Sequence, residues 1–201
     1  MLIRATSKLL TISRISAERC DSLPAEGFPG EWYANLLSTG RRGGSAIHFL
    51  HNPTMVSMFV PGKSLRTAIG ELPGRLDGLL VRNGFAHLFH AFQADTDCTI
   101  YATSSRSLLA VMSQMGISIE SEFWYLRDSV GWDPDWDPAD SDFVSLENRY
   151  LDYLIGGQTA KQRGQMYVSA RELLEHLTVP GHLAGHLAGH LGGHLATVFG
   201  K

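Results

Sequence analysis

The sequence predicts an α+β domain: an antiparallel sheet of about five strands, packed by several helices, with a histidine- and leucine-rich appendage at the C-terminus. Three observations carry that expectation. Between Trp32 and Val60 apolar residues alternate with a period of two, beyond Gly62 they recur at helical spacing, and residues 181–196 repeat Gly-His-Leu-Ala almost without variation. The chain of 201 residues, 44% hydrophobic and 18% charged, has enough apolar surface for one independent core. We therefore divide it into a single α+β domain over 1–179 and a low-complexity tail over 180–201.

Leu2-Ile3-Arg4-Ala5-Thr6 reads as a first strand. Three more follow in a meander over residues 32–60, placed at the centre of the sheet, in which Trp32, Ala34 and Leu36, then Ile47 and Phe49, then Met55, Ser57 and Phe59 alternate with their neighbours. Gly40-Arg41-Arg42-Gly43-Gly44 supplies the first hairpin loop, where glycine admits positive φ, and His51-Asn52-Pro53-Thr54 supplies the second. After Pro61-Gly62, Leu65, Ile69 and Leu72 and then Leu76, Leu79 and Leu80 predict two short helices broken at Pro73-Gly74. Phe85, Phe89 and Phe92 form a further apolar stripe, and Cys98 to Tyr101 reads as a strand returning to the sheet. Ser104 or Ser105 caps a helix from Arg106 to about Met115, stopped by Gly116. Trp132 to Asp142 reads as loop, Phe143 to Ile155 as helix, and Ala170 to Leu177 as a last short helix.

Seventeen Lys and Arg against twenty Asp and Glu give a net charge of −3, so no global field draws the molecule to nucleic acid or anionic lipid, and any polyanion binding has to be local. Two cysteines, Cys20 and Cys98, lie far apart and suit a reducing compartment. No run approaches the length of a membrane span. The expectation is a cytoplasmic protein without a membrane partner.

Among candidate chemical groups, Arg41 and Arg42 sit in a glycine-rich turn and could grip a phosphate or carboxylate. Arg106 and Ser107 open a helix, where free backbone N–H groups favour anions; the competing structural role for Arg106 is a bridge to Asp95 or Asp97. Gly62-Lys63-Ser64 follows a strand and precedes a helix, as in a phosphate loop, but the residues before it are extended and cannot wrap a phosphate, so it reads as a strand end with a helix cap. His87 and His90 lie three apart near Asp95, Asp97 and Cys98, yet two histidines beside a phenylalanine stripe read better as half-buried helix residues. The acidic run Trp132 to Asp140 has Pro138 where a calcium loop needs glycine and Val144 where it needs glutamate, which excludes an EF-hand.

Met1 to Arg4, Lys8-Leu9-Leu10, Glu31-Trp32-Tyr33-Ala34-Asn35-Leu36-Leu37, Arg41-Arg42 and Phe59-Val60-Pro61-Gly62 occur in an order that resembles an uncharacterised prokaryotic family, domain of unknown function 6933. Arg106-Ser107-Leu108-Leu109, Met112, Leu151-Asp152 and Tyr167 through Leu174 extend the resemblance to roughly residues 1–177. The chain departs from the family's helix start at Ser105, Ala110, Val111, Ser113 and Gln114. The resemblance implies no activity.

In the tail, His182, His186, His190 and His194 would form one stripe on a helix and could take Zn²⁺ or Ni²⁺ adventitiously as i, i+4 pairs, but a glycine at every fourth position costs roughly 0.8–1.0 kcal/mol each. Three readings of function follow. The first is a non-enzymatic binding or interaction module whose partner is a protein or a small anionic ligand. The second is an enzyme acting on an anionic small molecule or phosphodiester, with Arg106, Arg42 and His87 or His90 in one cleft. The third is a metal-binding or metal-sensing role for the tail.

Overall fold

The computed structural model describes residues 1–18, 30–103, 105–156 and 164–178. Strands β1 (Leu2–Ala5), β2 (Glu31–Ser38), β3 (Ser45–Asn52), β4 (Ser57–Pro61) and β5 (Thr99–Ala102) form one sheet in the order β4-β3-β2-β1-β5. Helices α1 (Ser7–Ser13), α2 (Leu65–Arg82), α3 (Arg106–Ser129) and α4 (Asp140–Leu151) pack on it, with a 3₁₀ segment over Ala86–Phe92. A small ribbon of β6 (Ile155–Gly156) and β7 (Tyr167–Val168) precedes α5 (Ala170–Thr178).

The α+β class and the five strands stand, but the sheet is mixed rather than antiparallel. β1 pairs in parallel with both β2 and β5, and only β3 opposes the other four. The meander forms one flank of the sheet, with β4 at its edge and β2 in the middle. Alternation reports which face a side chain takes and is silent on the direction of the neighbouring strand. The better signal is that all four residues of β1 are buried, the continuous burial typical of parallel strands covered on both faces.

Layers follow from register. Trp32, Ala34 and Leu36 share a face with His51, Phe49 and Ile47, and on that face Phe92 of the 3₁₀ segment stacks against Trp32 and His51. Tyr33, Asn35 and Leu37 share the other with Leu50, His48 and Ala46, where Phe59 meets Tyr150 of α4 and Leu37 meets α3 at Gly116. Helices on both faces explain why seven of the eight residues of β3 are buried. Burial holds His48 and His51 neutral by pushing each imidazole down to about 3, and each finds a hydroxyl, Ser57 at 3.1 Å and Thr54 at 2.7 Å.

Three helix boundaries differ from the sequence expectation. α2 runs unbroken through Pro73: the lost hydrogen bond costs about 3 kcal/mol, and burying Leu72, Leu76, Leu79 and Leu80 at roughly 1.5–3 kcal/mol each outweighs it. α3 continues past Gly116, where the absent side chain lets the helix approach; a Cβ there would lie 3.2 Å from Leu37 Cδ2. α4 starts at Asp140, earlier than expected, because Asp142 accepts from the Ala139 N–H at 2.8 Å and caps the first turn. α1 and the β6–β7 ribbon are too short to leave a periodic signal.

Candidate functional site

Because β1, β2, β4 and β5 run the same way, their C-terminal ends meet at one end of the sheet, and α1, α2 and α3 all begin there. The β2–β3 hairpin tip lies at this end beside the β4–α2 turn. Gly40, Gly43 and Gly62 take φ of +79°, +76° and +100°, which folds the two turns tightly enough to face each other. Between them lies a pocket of about 380 Å³ lined by Thr39, Arg41, Arg42, Gly43, Lys63 and Asp137, among others. Its lining holds three cations and one acid, so a positive site sits on a molecule of net charge −3.

Asp137 holds Arg41 at 2.5 Å. Arg42 and Lys63 are exposed and, among the described residues, have no acid within ion-pair distance. Thr39 is buried and its hydroxyl lacks a hydrogen-bond partner among the described residues. The tip admits no side chain at Gly44, where a Cβ would lie 2.4 Å from Thr39 Oγ1 and 2.8 Å from Arg41 Cβ. The first amides of α2 are already engaged, Leu65 N–H donating to Ser13 Oγ at 3.1 Å and Thr67 N–H to Ser64 Oγ at 3.4 Å. Ser64 is thus the expected helix cap, and the positive character of the pocket comes from its side chains.

The hairpin tip also leans on two indoles. Trp124 underlies Gly40, and the Arg127 guanidinium is wedged 4.0 Å from the Trp124 ring and 3.9 Å from the Trp132 ring while donating to the Gly40 carbonyl. Arg127 is buried; Trp132 is 68% exposed.

A second hollow of about 490 Å³ lies across the β4 edge, under a stripe of Gly70, Gly74 and Gly78 on α2. Its floor is the Glu147 carboxyl, which accepts from the Phe59 N–H at 3.3 Å and so closes the open edge of the sheet. Arg75 and Arg82 stand 3.7 and 3.6 Å from its two oxygens, and Arg75 also grips Asp140 at 2.5 Å. Burial raises the Glu147 carboxyl to about 7, further aided by Asp140 and opposed by the Phe59 N–H and by Arg75 and Arg82. Every arginine here faces an acid.

The other sequence candidates are dispersed. Arg106 and Ser107 are exposed at the start of α3 and do not line the cationic pocket; Arg106 makes no bridge to Asp95 or Asp97 among the described residues. His87 and His90 are exposed on the 3₁₀ segment beside the start of β2, and His90 faces Asp95 at 3.7 Å. The eight residues of β2 separate that end from the hairpin tip by roughly 23 Å, so Arg42 and these histidines do not share a cleft. Cys98 is exposed. The acidic loop is held by Trp132 on Arg127 and by Trp136 against the core, and no group of three or more potential metal ligands occurs among the described residues. His182, His186, His190 and His194 lie outside the described residues. No helix among the described residues is long and apolar enough to cross a membrane.

Sequence reasoning missed Lys63 as a pocket-lining cation, and missed Trp124, Arg127, Arg75, Arg82 and Glu147 entirely. The Lys63 signal was present: in a meander, the first hairpin tip and the end of the third strand share one end of the sheet.

Residues 2–166 match the family described as Domain of unknown function (DUF6933), and the chain belongs to that family. No curated protein and no solved structure matches it.

Proposed function

Since the family carries no assigned activity, we propose from the site itself that this protein is a non-enzymatic binding module for a small oxyanion, a phosphate or carboxylate group seated between Arg41, Arg42 and Lys63. The observation that carries this reading is the pair of cations, Arg42 and Lys63, that face a common pocket without acid partners among the described residues. Like charges gathered without compensation repel one another, and an anion removes that repulsion while meeting the planar donors of arginine. Glycine turns bring the cradle together at no side-chain entropy cost. No nucleophile and base within hydrogen-bond reach supports a reaction at this pocket, and the histidines invoked for an enzyme lie at the opposite end of the sheet.

Calorimetric titration with inorganic phosphate at low ionic strength tests the proposal. Saturable binding is expected, weakened tenfold or more in the double variant Arg42→Ala, Lys63→Ala. Affinity unchanged in that variant, or no binding at all, contradicts it.

A further inference from the structure

Resting on the oxyanion reading, we infer that the anion carries a planar ring and that the hairpin pocket, with the tryptophan shelf beside it, takes a nucleoside phosphate. Pocket and shelf are built from the same two segments. The hairpin contributes Arg41 and Arg42 to the pocket and Gly40 to the shelf, and a Cβ on Gly40 would lie only 3.7 Å from the Trp124 ring. The loop after α3 contributes Trp132 to the shelf and Asp137, bonded to Arg41 at 2.5 Å, to the pocket. Gly40, which packs on Trp124, is the chain neighbour of Arg41, so the shelf and the pocket adjoin at the hairpin tip.

The shelf is fixed before any ligand arrives. Arg127 is 3% exposed, donates to the Gly40 carbonyl, and stands 4.0 and 3.9 Å from the two indoles, so both rings rest on a buried cation. Its Nε and Nη2 have no hydrogen-bond partner among the described residues, which leaves the indole faces as its principal electrostatic contacts there. Trp132 nevertheless keeps 68% of its surface exposed, and Trp124 keeps 45%. A rigid, exposed indole beside uncompensated cations has the two parts that a nucleotide needs: a π-face for the base and a cradle for the phosphate. Asp133 and Asp135 lie in the loop between Trp132 and Asp137, which favours a single phosphate-bearing molecule over an extended polyanion.

Titrations of the full chain with inorganic phosphate, adenosine 5′-monophosphate and a short single-stranded oligonucleotide, read by calorimetry and by tryptophan emission, test this. Stacking on one ring is expected to make the nucleotide bind roughly 5- to 150-fold tighter than phosphate and to quench the emission. Trp132→Ala, a change at an exposed position, should bring the ratio of nucleotide to phosphate affinity down towards one. A nucleotide no tighter than phosphate, or one indifferent to Trp132→Ala, overturns the inference while the oxyanion reading stands. Binding of neither overturns both, and an oligonucleotide that outcompetes the nucleotide assigns the shelf to single-stranded nucleic acid and overturns the small-ligand form.

Discussion

The two hollows of this molecule both contain arginines, and the difference between them lies in what those arginines face. Across the β4 edge, Arg75 and Arg82 surround Glu147, with Asp140 and Glu71 also on Arg75. At the hairpin tip, Asp137 answers Arg41, and Arg42 and Lys63 stand without an acid among the described residues. Once Glu147 is ionised, above about pH 7, the first arrangement answers each arginine with an acid and braces the fold by fastening α2 and α4 to an exposed sheet edge. The second carries a net positive charge that an anion would neutralise. A count of charges in a groove would not separate them; the pairing does.

The largest effect that sharpens this contrast is expected at Glu147. Its carboxyl keeps its proton to about pH 7 in the folded chain but loses it near 4.5 when unfolded. The stability it confers is therefore complete below pH 4.5 and lost as pH rises through 7, up to roughly 3 kcal/mol. Glu147→Gln removes that dependence, so the stability of the variant relative to the parent should rise by about that amount between pH 4 and pH 8 in denaturant titrations. A flat difference would show Glu147 ionised throughout and its arginines more fully engaged than the distances indicate. Next in size is Gly44→Ala, which drives a methyl into Thr39 and Arg41 and should cost about 1–3 kcal/mol while abolishing phosphate binding. The smallest is Arg42→Ala: stability within about 0.5 kcal/mol of the parent, with anion affinity reduced, though less than in the double variant. A large loss of stability there would place Arg42 with the bracing arginines and dissolve the comparison.

Much of this was legible in the sequence, and what was not has identifiable causes. The β-hairpin at Gly40 to Gly44 announced itself through alternation and glycine placement, because both act within a few residues. The parallel pairing of Leu2–Ala5 did not, since partner direction is a long-range property. Pro73 and Gly116 misled because local propensity favoured a stop, whereas tertiary packing of Leu72, Leu76 and Leu37 decided the outcome. Arg41 and Arg42 were visible as a motif; Lys63 joined them only through the order of the strands. Trp124, Arg127 and Trp132 come together through the turn of a helix into a loop, and Glu147 is an ordinary polar helix residue until β4 is set beside it. Pairing across elements carries no mark in a single segment.

The contrast between the two arginine groups is tested most directly by nuclear magnetic resonance of the arginine side-chain Nε–H groups during addition of inorganic phosphate. Saturable shifts at Arg41 and Arg42, with Arg75 and Arg82 unmoved, are the expected result. Shifts confined to Arg75 and Arg82, or none at any of the four, would contradict a ligand site at the hairpin tip.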